Sequence, residues 1–127
     1  MSKSEANKSD HKRNINEIAG LIESSFAKGN SKLLESLLSD ELELVIDSEK
    51  VEFAKIQRER AGFILSSFFK RNPPVEFDYV NQGNTSETLR YSVGNYKSSN
   101  KEFLIYMLIK ESPDHTFGIK TLQMREN

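Results

Sequence analysis

Cysteine is absent from this 127-residue sequence, histidine occurs twice, and neither sign of charge dominates, the formal net charge being -1. Without cysteine there are no disulfides, thiolate metal sites or cysteine nucleophiles, and the chain suits a reducing or an oxidising compartment equally. Of the histidines, His11 lies in a polar N-terminal stretch and His115 follows Pro113-Asp114 in turn-like sequence. Neither is placed to act as a general base, and no metal site, cofactor or catalytic residue is assigned. Charge near zero removes the long-range field that nucleic acid or an anionic membrane surface would need. No apolar run approaches the ~20 residues that span a bilayer, so membrane insertion is not expected.

What is present is an ordinary globular core behind a polar lead. Residues 1–13 contain only Met1 and Ala6 as apolar side chains, too few to offset the entropy of ordering, and are expected to form a flexible tail. Residues 14–127 are then a single domain. Ile15, Ile18, Ala19, Ile22 and Phe26 recur at helical spacing, with Gly29 as C-cap, which predicts a helix over 14–28. Leu33, Leu34, Leu37 and Leu38 predict a short second helix, capped by Asn30 or Ser31 and stopped at Ser39-Asp40. Leu42, Leu44 and Ile46 alternate as a strand does, and Val51 to Phe53 pairs back briefly after a turn at 47–50. A longer helix is expected over 54–70, with Ile56, Arg60, Phe63, Ile64, Ser67 and Phe68 on its apolar stripe, lying across the sheet.

The rest reads as a four-stranded antiparallel meander near 75–82, 88–97, 102–110 and 116–125, because its connectors are short and polar. In the second of these strands Leu89, Tyr91 and Val93 form the apolar set, and Arg90, Ser92 and Gly94 the set facing water. The third does not alternate: Phe103, Ile105, Met107 and Ile109 on one face are matched by Leu104, Tyr106 and Leu108 on the other. Helices cover only one face of such a sheet, so the second apolar set predicts a second covering layer. Leu104, Tyr106 and Leu108 are accordingly the expected face of a homodimer formed sheet against sheet.

The order helix, helix, strand, long helix and four-stranded meander resembles the nuclear transport factor 2-like (cystatin-like) α+β superfamily, in which a bent sheet wraps the helices into a cone. The resemblance runs from Ile15 to Glu126 and narrows to a family of short, uncharacterised bacterial members, usually exported. Its carriers are Phe26-Ala27-Lys28-Gly29-Asn30, Phe68 to Pro74, Gln82-Gly83, Tyr91 with Gly94, and the strand from Phe103 through Tyr106 to Lys110. The fold class it implies is α+β, N-terminal helices packed on a bent four-stranded antiparallel meander. No activity comes with the family. Met1 to Asn14 lacks the apolar core of a secretion signal, so the chain is expected to be soluble in an unassigned compartment, export remaining compatible with a removed signal.

Within such a cone Tyr79 and Tyr91 share a register with apolar neighbours, and together with Asn81 and Phe63 they are the candidate ligand pocket. Arg60 is expected beside the apolar stripe, covering it with its stem or pairing with Asp47. Three functions follow in order of what they require. A non-catalytic homodimer that binds a small apolar ligand or a protein needs only the apolar faces. An isomerase- or dehydratase-like enzyme needs Tyr79 or Tyr91 as donor and an acid not visible in the sequence. A cystatin-like inhibitor needs protruding loops, and those at Gly83 and Ser98 are short.

Overall fold

The computed structural model describes residues 14–127; the expected polar tail, with His11, lies outside the described residues. Two helices open the described residues, α1 (Ile15–Lys28) and α2 (Ser31–Ser36). Strands β1 (Leu38–Ile46) and β2 (Val51–Gln57) lead into helix α3 (Arg58–Arg71). Then come β3 (Glu76–Asn84), β4 (Leu89–Lys97), β5 (Glu102–Glu111) and β6 (Phe117–Glu126).

Local sequence explains the helix ends. Asn14 accepts a hydrogen bond from the Glu17 amide at 2.9 Å while its own amide donates to the Glu17 carboxylate at 3.0 Å, a reciprocal cap on two otherwise unpaired donors. Gly29 takes φ 63°, and its amide and that of Asn30 donate to the Phe26 and Ser25 carbonyls, closing α1. Asn30 caps α2 by accepting from the Leu33 amide.

The sheet has six strands in the order β2-β1-β6-β5-β4-β3, not four. The meander from β3 to β6 is antiparallel, as its short connectors require. The extra pair joins at its other edge: β1 runs parallel to β6, with Leu44 opposite Leu122 and Ile46 opposite Met124, and β2 pairs antiparallel to β1. The reason lies in lengths. β1 starts at Leu38, passing through the expected stop at Ser39-Asp40, and β2 continues to Gln57, so both are full strands. Residues 54–57, expected as helix, are therefore sheet.

Consequently α3 begins four residues later and packs over β1, β2 and α2 rather than across the whole meander. Its buried side is Ala61, Leu65, Phe68 and Phe69, which turns Phe63 outward at 79% exposure. Arg60 covers the Phe53 ring, its guanidinium carbon 5.8 Å from the centroid, while Asp47 accepts from the Glu126 amide.

Register shifts interrupt four of the sheet's pairings: β1 with β2 between Leu42 and Leu44, β1 with β6 between Leu38 and Glu43, β3 with β4 at Val80, and β5 with β6 between Leu108 and Ile109. Its inner face carries the core, with Phe103, Ile105, Met107, Leu122 and Met124 under Ile22, Phe26 and Phe68. Each such side chain contributes roughly 1.5–3 kcal/mol by leaving water.

Candidate functional site

Strand parity decides which side chains can meet. In β4 the buried set is Ser92, Gly94 and Tyr96, and Tyr91 and Val93 lie on the other face, the reverse of the expectation. The cause is steric. A Cβ at Gly94 would stand 2.3 Å from the Phe77 ring, so the inner face requires glycine at this position, which sets Tyr91 and Val93 outward by alternation.

The bulge at Val80 separates two more of the expected partners. Tyr79 pairs with inward Gly94, but Asn81 pairs with outward Val93, although the two are only two residues apart. One extra residue in the strand inverts the alternation beyond it. Tyr79 points to α1, where its hydroxyl donates to the Ala19 carbonyl at 2.6 Å, and burial, with a smaller push from Glu23, raises its pKa well above the usual phenol value. Tyr91 instead lies against Gly83 on the outer face. The four residues Tyr79, Asn81, Tyr91 and Phe63 are therefore not brought together as one pocket: Tyr79 faces the helices, Asn81 is on the outer face, and Phe63 is on the solvent side of α3, while Tyr91, outward in register, still contributes to the lining of a cavity beside α1.

The outer face gains what the pocket loses. Opposite-strand pairing places Tyr91 beside Leu108, Val93 beside Tyr106, and Asn95 beside Leu104, in rows that continue to Thr121, Gln123 and Arg125 of β6. Leu104 is 40% exposed, and Tyr91, Val93, Tyr106 and Leu108 are half-buried. Glu43, on the neighbouring strand, stands within 3.5 Å of the Thr121 hydroxyl and the Gln123 amide nitrogen.

The inner face carries a half-open cavity of about 220 Å³ between the start of α1 and the far ends of β3, β4 and β5. Ile15, Ala19 and Ile109 form its apolar wall, Asn16, Gln82, Asn84, Arg90 and Ser92 its polar one, and Gly83 and Tyr91 complete the lining. Arg90 Nη1 donates to Asn84 Oδ1 at 2.7 Å. Sequence reasoning missed this group because it assigned Arg90 and Ser92 to the water-facing set.

His115 is exposed in the β5–β6 turn at φ 66°, its Nδ1 2.9 Å from Glu111 Oε2. Among the described residues no helix is long and apolar enough to cross a membrane.

A family model described as a domain of unknown function, DUF4783, matches residues 19–125. The chain belongs to that family. A DUF4783 protein from Bacteroides uniformis superposes with a TM-score of 0.77 at 18% identity, covering 90% of this chain and 98% of that one. The same fold extends beyond DUF4783. An NTF2-like protein of unknown function from Shewanella baltica gives a TM-score of 0.67 at 10% identity, over 89% and 90% of the two chains. A domain with a cystatin-like fold from Nostoc punctiforme gives 0.68 at 10% identity, over 89% and 75%. At these identities the likeness is one of fold, and the fold is the nuclear transport factor 2-like α+β architecture. A 76-residue stretch is also 32% identical to a 3-phosphoshikimate 1-carboxyvinyltransferase from Acetivibrio thermocellus, covering 60% of this chain and 18% of that protein. The chain thus spans under a fifth of that relative's length.

Proposed function

We propose that this DUF4783 chain is a non-catalytic binding module that works as a homodimer, the outer face of its sheet set against a second copy. The observation that carries the reading is the apolar strip Tyr91, Val93, Leu104, Tyr106 and Leu108 across β4 and β5, over which the described residues lay no covering layer. A half-buried row of this kind on a sheet whose other face already holds the core is best satisfied by another apolar layer.

Size supports a second copy. The whole outer face, six strands about 4.8 Å apart and 7 to 10 residues long, presents roughly 700 Å², close to the ~800 Å² that each partner buries in a standard interface, so a second copy centred on the strip would also cover the flanking strands. The strip is flanked by charges of both signs, Glu43 and Arg125, so a twofold axis through it can bring opposite charges together.

Sedimentation equilibrium at micromolar concentration tests the reading. The wild-type chain is expected to be dimeric, and Leu104→Glu, at a position exposed enough to accept the charge within one chain, is expected to be monomeric with its circular dichroism intact. A wild-type monomer, or a Leu104→Glu variant that stays dimeric, overturns it.

A further inference from the structure

We propose that the inner cavity binds a small carboxylate with a short apolar body, its head on Arg90 and Ser92 and its body against Ile15, Ala19 and Ile109. The proposal does not rest on the dimer, since the cavity is built by one chain on the helix side of the sheet and shares only Tyr91 with the outer strip.

Two observations point to an anion. Arg90 lies half-buried on the inner register of β4, in the set that carries Ser92 and Gly94, and lines the cavity. Among the described residues its one side-chain partner is the neutral oxygen of Asn84, and no carboxylate lies within salt-bridge distance. Several of its five donors remain available in the planar fork that matches a carboxylate. Second, Ser92 is 96% buried, lines the cavity, and has no hydrogen-bond partner for its hydroxyl among the described residues. Because that oxygen is not among the fully enclosed unsatisfied atoms, it is open to the cavity, and an occupant oxygen can take its proton.

Volume and walls set the rest of the ligand. At about 220 Å³ the cavity is below the ~300–1,000 Å³ of sites for drug-sized molecules, so the occupant is small. Opposite the polar wall, the three aliphatic side chains give no donor or acceptor, so the body of the ligand is hydrocarbon. A tetrahedral inorganic anion would satisfy Arg90 but leave that wall dry and empty.

The test is a titration of the full chain followed by backbone amide shifts, with hexanoate, hexanamide and inorganic phosphate as probes. Hexanoate is expected to give saturable shifts at Ala19, Arg90 and Ser92, and hexanamide and phosphate to bind at least about tenfold more weakly, as loss of a charge-assisted bond or of the apolar contact predicts. Arg90→Gln is expected to weaken hexanoate by about ten- to a hundredfold, and Ser92→Ala by less. Equal binding of hexanoate and hexanamide, shifts that map elsewhere, or no saturable shift at millimolar hexanoate overturns the proposal. Phosphate binding tighter than hexanoate overturns the commitment to a carboxylate. Should Arg90→Gln fail to fold, the hexanamide comparison and Ser92→Ala decide the matter.

Discussion

The two ends of the core are built on opposite principles, although the same helix and the same strands run through both. At one end the C-terminal turns of α1 and α3 meet the start of β3, the end of β4 and the start of β5, and six aromatic rings fill the space. Phe26 stacks on Phe77 with centroids 5.0 Å apart, Phe68 meets Phe103 edge to face at 5.0 Å, and Phe69 and Tyr96 close the cluster at about 6 Å. At the other end α1 offers Ile15, Asn16 and Ala19, the strands offer chiefly Gln82, Asn84, Arg90 and Ser92, and a cavity is left. The difference shows that this cone is sealed by large rings at one end and kept open by small and polar side chains at the other. Stability belongs to the first, and the proposed carboxylate site to the second.

Breaking the closed end should therefore cost the most. Phe68 is fully buried and touches the rings of Phe69, Tyr96 and Phe103, so Phe68→Ala is expected to destabilise the fold by about 3–5 kcal/mol, measured by urea unfolding. Overfilling the same end should cost less. A methyl at Gly94 would meet the Phe77 ring, and that ring cannot swing aside because Phe26 stacks on it and Tyr79 meets its edge at 5.3 Å. Gly94→Ala is expected to cost about 1–3 kcal/mol by forcing those rings off their packing. A Gly94→Ala protein as stable as wild type would show that the closed end has slack, and the contrast between the two ends would lose its basis.

How much of this was legible beforehand follows from which signals are local. The meander was readable because short polar connectors at 83–86, 98–100 and 112–115 leave antiparallel pairing as the only geometry. The double apolar character of β5 was readable because burial there has period two on both sides. The parallel pairing of β1 with β6 joins residues some eighty positions apart, which no local pattern encodes, so two strands were left out of the sheet. The pocket failed for a sharper reason. Tyr79, Asn81 and Tyr91 were grouped by alternation, and alternation breaks at the Val80 bulge and reverses in β4 because Gly94 must admit Phe77. Polar Arg90 and Ser92 facing inward is the pattern opposite to the one hydrophobicity alone predicts.

The smallest of the expected effects separates the two ends by pH. Tyr96 is fully buried in the closed end, its hydroxyl donating to the Asn72 carbonyl at 2.5 Å, and Tyr79 stands at the border of the open end. Burial raises the pKa of both above the ordinary value of 10.0, so the folded state keeps each phenol protonated where the unfolded chain has begun to lose the proton. Above that pH the unfolded state binds fewer protons than the folded one, and stability must fall as pH rises. Their contribution is complete below about pH 10 and declines above it, by at most about 1.4 kcal/mol per pH unit for each tyrosine. Chemical unfolding at a series of pH values is expected to give a flat profile for these groups below pH 10 and a decline above it. Tyr79→Phe should remove part of that decline while giving up the bond to Ala19, about 0.5–1.5 kcal/mol at neutral pH. An unchanged slope in Tyr79→Phe would mean that its hydroxyl meets solvent through the cavity, and that the open end reaches further into the core than its lining residues indicate.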